Sequence, residues 1–245
     1  MQKIAKEQRR ALRRKMRHWR HAAVEASPGW LRRALGPAVQ YGDMLLVDHG
    51  VFRLFYLNRH RLGKRAWRSA QPAPHQIAKL KSLGIRTVVN LRGPRSCGSY
   101  WLEQQACERH GLKLVDYQVR SRAAPSKAEL FGARDLFERV EYPILMHCKS
   151  GADRVGLMST LYLIVHEGVP VADAKAQLAL KFGHIRQSDT GILDYFFERY
   201  LADNAVQSIP FFTWVETVYD PDEVKRTYQA RGWANVLTNT VLRRE

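Results

Sequence analysis

The sequence predicts an α/β fold, a central sheet of about four to five largely parallel strands flanked by helices, and three observations carry that prediction. From about Tyr41 short strand-like runs alternate with longer helix-like segments, the order produced when helices cross over between neighbouring strands. An apolar run ends at Cys148, a short polar loop follows, and a second apolar run opens at Val155, giving strand, loop, helix. Ser126 is followed three residues later by Glu129, a capping box that marks a helix start.

The chain opens with a different texture. Residues 1–33 carry eleven Lys or Arg against Glu7 and Glu25. Leu12, Met16, Trp19 and Ala23 recur at steps of four, three and four, which places them on one face of a basic amphipathic helix. Such a helix suits an anionic membrane surface, with Trp19 and Trp30 as interfacial anchors. It equally suits a solvated basic tail, and nucleic-acid binding carries less weight. Ser27-Pro28-Gly29 interrupts the helix. Beyond it, strands are expected at 65–68, 87–91, 113–119 and 143–148, and helices at 75–83, 100–110, 126–139 and 155–166. A further helix is expected at 192–201 and another near 221–231. The organisation is thus a basic extension over 1–40, a main domain over 41–205, and an aromatic and helical extension over 206–245. That last stretch is too short for a core of its own and should pack on the domain.

Composition narrows the function. The 245 residues carry a net charge of +17, which favours an anionic substrate or partner. Three cysteines, an odd number, argue against a disulfide framework and for a reducing compartment. No apolar run reaches the length of a membrane span, and the charged start lacks the shape of a signal peptide. A cytoplasmic protein is expected, at most peripheral at the inner face of the membrane. The nine histidines show no compact spacing with cysteines or carboxylates, so neither a metal nor another cofactor is expected.

The chemistry concentrates in His147-Cys148-Lys149-Ser150-Gly151-Ala152-Asp153-Arg154. A loop between a buried strand and a helix N-terminus can curl around a tetrahedral anion, with its backbone N–H groups turned inward. The helix dipole and the Arg154 cation favour an anionic sulfur at Cys148, which can attack phosphorus. The Arg154 guanidinium offers a planar fork for two phosphoryl oxygens. Gly151 lets the backbone approach closely, while Lys149, Ser150 and Ala152 supply further loop N–H groups. Cys97 and Cys107 lack this pattern, since Glu103 and Lys113 stand six positions after them.

His147 to Arg154 resembles the H-C-x-x-G-x-x-R signature of the tyrosine and dual-specificity phosphatase superfamily. Trp67-Arg68-Ser69-Ala70-Gln71-Pro72, with Leu83-Gly84-Ile85-Arg86-Thr87-Val88-Val89-Asn90-Leu91-Arg92, resembles the opening of its bacterial dual-specificity-like members. The resemblance covers roughly residues 60–170. It implies a tyrosine-phosphatase-like sheet and hydrolysis of phosphate monoesters through a phosphocysteine. Phosphotyrosine in a protein, or the headgroup of a phospholipid or lipid A, would be the substrate. Arg92, Arg120 and Arg122 become candidates for binding its anionic groups; Arg95 is equally a surface residue on a turn.

Two departures from the family pattern matter. Val155 stands where the family usually carries Ser or Thr, whose hydroxyl assists breakdown of the intermediate; slow turnover, help from Ser150, or a phosphate-binding pseudophosphatase would follow. The segment Val119 to Pro125, where the family places its general acid, contains no carboxylate. Asp116 lies too early and reads as a strand-end acceptor. Asp153 occupies the place of the acid proposed in myotubularin-like lipid phosphatases, and a purely structural role in holding the loop is equally open to it. His184, Arg186, Gln187 and Asp189 form a polar cluster that could orient a water.

Overall fold

The structure, a computed structural model, describes Ala26, residues 28–48 and residues 51–230. Of the basic segment expected over 1–33, residues 1–25 and 27 lie outside them. In chain order the elements are helices α1 (Gly29–Gly42) and α2 (Val51–Phe55), strands β1 (His60–Arg61) and β2 (Ala66–Ala70), α3 (Pro74–Ser82), β3 (Thr87–Asn90), α4 (Gly98–Arg109) and β4 (Lys113–Asp116). Then come α5 (Lys127–Arg139), β5 (Ile144–Cys148), α6 (Asp153–His166), α7 (Val171–Ala174), α8 (Ile192–Val206) and α9 (Phe211–Thr217). Residues 221–230 are also helical.

The chain divides into two compact units. Among the described residues, one comprises those up to Tyr56 with Pro72–Leu83 and Pro94–Lys113; the other comprises Leu57–Gln71, Gly84–Gly93 and those from Leu114 to Ala230. The first is helical. Its α1 closes on α4 at Gly98, where an added Cβ would lie 2.3 Å from the Gln40 carbonyl oxygen. Asp43 Oδ2 accepts the Gly98 N–H at 2.8 Å, so a carboxylate sits at the start of α4, where the helix dipole favours it. Asp48 joins the same structure, accepting from Arg53 at 3.0 Å and from Ser99 at 2.8 Å.

The second unit holds the five-stranded sheet, in the order β1-β2-β5-β3-β4. Strands β2 and β3 both pair in parallel with β5, while β1 runs antiparallel to β2. Every residue of β5 is buried, as expected of a central parallel strand covered on both faces. Helix α6, which packs against it, is buried continuously from Val155 to Tyr162 and is apolar around its circumference for the same reason. The expected capping box forms at α5: Ser126 Oγ accepts the Glu129 N–H at 3.2 Å, and Glu129 Oε2 accepts the Ser126 N–H at 2.8 Å.

Phe211, Trp214, Val215, Tyr219 and Val224, from the described part of the C-terminal segment, belong to this unit's core. Trp214 is 1 % exposed and, with Phe196, Phe197 and Phe211, forms an aromatic cluster with ring centroids 4.8–6.3 Å apart. The indole N–H of Trp214 reaches Asp203 at 2.8 Å, and the Tyr219 hydroxyl donates to the Pro125 carbonyl at 2.6 Å. Strand β1 was not anticipated from the sequence, because two residues give no alternation to detect. No helix among the described residues is long and apolar enough to cross a membrane.

Candidate active site

Strand β5 delivers Cys148 to the end of the sheet, where register pairs it with Ala70 of β2. Residues 149–152 then turn, and α6 begins at Asp153. The turn requires Gly151, whose φ of +76° lies in the region other residues avoid. A Cβ there would also meet the Ala70 nitrogen at 2.7 Å and the Ser69 carbonyl carbon at 2.9 Å. The loop is therefore laid directly against the end of β2.

Two buried polar side chains hold the outer side of this loop. Arg68, fully buried, donates from Nη2 to the carbonyls of Gly151 at 2.9 Å and Ala152 at 3.2 Å. Its Nη1 donates to the Gln177 backbone carbonyl at 2.7 Å and the Gln177 side-chain oxygen at 2.9 Å. The Phe182 ring lies 4.0 Å from the guanidinium carbon, within cation–π range. Burial lowers the Arg68 pKa to about 10, against the opposing charges of Cys148 and Asp153, so the side chain stays cationic at neutral pH.

Asn58 is the second anchor. Its amide lies 3.2 Å from the Ser150 carbonyl, 3.1 Å from that of Gly151 and 2.9 Å from that of Phe182. Asn58 has a φ of +48°, a left-handed conformation that asparagine tolerates better than most residues. His60 sets the amide's orientation through a 2.9 Å contact between Nε2 and Asn58 Oδ1. Burial, then the Arg68 and Lys181 charges, lower the His60 pKa, so the ring is neutral and donates Nε2–H to that oxygen. With the carbonyls of residues 150–152 bound from outside, the N–H groups of the loop face the opposite way.

The residues singled out in the sequence occupy distinct places. Cys148 is 4 % exposed and packs with the apolar core. His147, the penultimate residue of β5, is fully buried, and its Nδ1 lies 3.5 Å from the Cys148 carbonyl. Lys149 is half-buried, Ser150 exposed, and Gly151 and Ala152 buried. The Arg154 side chain is half-buried, and among the described residues no ion pair or hydrogen bond engages its guanidinium. Val155 is fully buried in the core. Arg92 is buried, with its guanidinium on the Gln71 side-chain oxygen. Arg120 and Arg122 are exposed, and Arg120 lies 3.6 Å from Glu129. Asp116 ends β4, and its Oδ1 accepts from the Asn90 amide at 2.7 Å.

Of the polar cluster at 184–189, only His184 turns inward; Arg186, Gln187 and Asp189 are exposed, and Arg186 pairs with Glu198 at 2.8 Å. The His184 ring sits between two carboxylates, with Nδ1 2.8 Å from Asp153 Oδ1 and Nε2 2.6 Å from Asp194 Oδ2. Burial works to lower the His184 pKa, but the hydrogen bonds and charges of Asp153 and Asp194 outweigh it and raise the value to about 9. Sequence reading missed Asn58, Asp194 and Gln177 altogether, and took Arg68 only as part of a motif.

Comparison with known proteins fits this geometry. Residues 57–193 match the family model described as DSP-PTPase phosphatase fused to NAD+ kinase. The chain is 28% identical over 156 residues to the dual specificity protein phosphatase TpbA of Pseudomonas aeruginosa strain UCBPP-PA14. That alignment covers 62% of this chain, which spans 58% of the length of the curated relative. A crystal structure of P. aeruginosa TpbA is 26% identical, with a TM-score of 0.48 over 58% of this chain and 84% of that one. A cysteine-to-serine TpbA variant in complex with pTyr is 28% identical, with a TM-score of 0.46 over 58% of this chain and 83% of that one. Because the family match takes in more than half of the chain and spans the whole loop from Cys148 to Arg154, the chain belongs to the DSP-PTPase phosphatase family.

Proposed function

We propose that this chain is a cysteine-dependent phosphatase that hydrolyses phosphate monoesters through a phosphocysteine at Cys148. The observation that carries the reading is the pinned loop. Arg68 and Asn58 bind its carbonyls from outside, and Arg154 brings to the same loop a guanidinium that no described residue engages. A phosphate dianion fits such a cradle at the N-terminus of α6. Cys148 Sγ bonds to phosphorus as the bond to the leaving oxygen breaks, and Arg154 compensates charge on the equatorial oxygens. The leaving oxygen takes a proton from Asp153, the carboxyl-bearing residue at the start of α6. Water then attacks phosphorus, losing its proton to Asp153 as the sulfur departs as thiolate.

Two supports bear on the substrate. The protein-phosphatase name of the curated relative, and the pTyr bound to a TpbA variant, favour phosphotyrosine in a protein. The basic first 33 residues, with exposed Arg120 and Arg122, favour an anionic phospholipid headgroup at the inner face of a membrane. Hydrolysis of a phosphopeptide is compared with hydrolysis of phosphatidylglycerophosphate in vesicles, and the larger kcat/KM assigns the class. A weaker reading rests on Val155, which puts a buried methyl group where a hydroxyl would help the sulfur leave. On that reading the protein binds phosphate esters and turns them over slowly, if at all.

The deciding test is p-nitrophenyl phosphate hydrolysis by the wild type and Cys148→Ser. Turnover by the wild type, abolished in the variant while orthovanadate still binds, establishes the enzyme. Binding without turnover in both favours the pseudophosphatase, and neither binding nor turnover removes the reading altogether.

A further inference from the structure

Asp153 cannot be treated as an isolated acid, because a second carboxylate lies behind it through one imidazole. A neutral imidazole has a single N–H and can donate to only one carboxylate. In this site both ring nitrogens face carboxylate oxygens at hydrogen-bond distance, 2.8 Å to Asp153 and 2.6 Å to Asp194. Both contacts are hydrogen bonds only when the trio holds one proton more than a neutral ring flanked by two carboxylates. Geometry alone therefore implies a stored proton. The raised His184 pKa, about 9 in spite of burial, points the same way.

The trio is open at one end only. The His184 ring is 1 % exposed and the Asp194 side chain 5 %, whereas the Asp153 side chain is 26 % exposed. Asp153 precedes Arg154 in the loop, and the segment after β4 that could have offered another acid, Val119 to Pro125, contains none. Among the described residues, Lys175 and Arg186 line the same pocket and are both drawn to Glu198, at 2.9 Å and 2.8 Å, and Tyr228 lies within electrostatic reach of Asp194. Arg68 acts electrostatically on Asp153 from β2.

We propose that Asp153, His184 and Asp194 form a proton relay in which the imidazole, backed by Asp194, supplies the proton that Asp153 passes to the departing oxygen. The proposal rests on the phosphocysteine reading. As the phosphorus–oxygen bond breaks, its electron pair stays on the leaving oxygen; the single stored proton moves from His184 Nδ1 to the Asp153 carboxylate and from there to that oxygen, which leaves Asp153 ionised and the ring neutral with its Nε2–H on Asp194. When water attacks the phosphocysteine, its proton returns through Asp153 to His184, and the sulfur leaves with the pair of the broken phosphorus–sulfur bond. Asp153 meets the substrate; His184 and Asp194 are positioning residues that act through it.

A relay of this kind matters in proportion to the basicity of the leaving oxygen. The full chain is assayed on p-nitrophenyl phosphate, whose leaving group needs little protonation, and on phenyl phosphate, whose leaving group needs it. His184→Gln should lower kcat on phenyl phosphate about 10- to 100-fold more than on p-nitrophenyl phosphate, and Asp194→Asn should do so in the same sense but less. Combined with Asp153→Asn, His184→Gln should cost nothing further. Equal losses on both substrates, or additive losses in the double variant, overturn the relay. If His184→Gln gives no cooperative melt, Asp194→Asn and the wild-type pH profile decide. In that profile the fall in kcat above about pH 9 should be steeper for phenyl phosphate, and identical profiles overturn the proposal. Wild-type turnover abolished by Cys148→Ser shows whether the underlying reading stands, so a relay that fails alone is distinguishable from a site that fails entirely.

Discussion

Two loops of the same unit follow strands of the same sheet and are built on opposite plans. The loop after β5 is short and held by buried side chains from outside, through Arg68 and Asn58. The segment after β4, from Tyr117 to Pro125, is fixed at separate points. The Tyr117 hydroxyl donates to the Glu129 carbonyl at 2.6 Å, Val119 is buried, and Pro125 accepts from Tyr219. Between these points it exposes Arg120 and Arg122. The first plan suits a reaction centre, where positions must be held closely. The second suits recognition, where exposed cations meet an anionic partner. The contrast is one of composition as well: the second loop carries no carboxylate from Val119 to Pro125, whereas the first ends on Asp153 at the start of α6.

The comparison can be broken most sharply at Arg154. Arg154→Lys keeps the charge but loses the planar fork, and kcat/KM on p-nitrophenyl phosphate should fall about 10³-fold with little change in melting temperature. Next comes the anchor. Arg68→Met leaves the Gly151 and Ala152 carbonyls without their guanidinium donor, and denaturant unfolding should show a loss of about 3 kcal/mol along with weakened orthovanadate binding. Gly151→Ala places a Cβ against Ala70 at positive φ and should cost about 2 kcal/mol or more in the same measurement.

The relay histidine gives a pH signature. Its folded pKa of about 9 lies above the ordinary 6.5, so its contribution to stability is complete below about pH 6.5 and is lost as pH rises through 9. Melting temperature should decline across that window by an amount worth on the order of 2 kcal/mol, and the decline should shrink in His184→Gln. The smallest effect belongs to the exposed loop. Arg120→Ala with Arg122→Ala should change stability by less than about 0.5 kcal/mol, while raising KM for an anionic substrate severalfold and leaving kcat unaltered.

Much of this was legible before the structure because the candidate loop is contiguous. Cys148, Gly151, Asp153 and Arg154 lie within seven residues, and a strand, a turn and a helix start are all local properties. The strands at 87–90 and 144–148 and the helix start at Ser126 were legible for the same reason. What supports the loop was not legible. Asn58 and Arg68 lie 93 and 83 residues before the Gly151 carbonyl they hold, and His184 lies 31 residues after Asp153. Their roles exist only once β1, β2 and α8 are folded. Arg68 also looked like an ordinary strand position, since nothing local distinguishes a buried cation with several acceptors from a solvent-facing one.

The Tyr219 hydroxyl on the Pro125 carbonyl has a practical consequence for how far this protein can be shortened. A chain cut near residue 205 would forfeit Phe211, Trp214 and Tyr219 together, baring the side of α5 on which α9 rests. It would also untie the distal end of the arginine-bearing segment from the body. The aromatic segment is thus a clasp for the arginine-bearing loop, and a minimal folded fragment has to retain it.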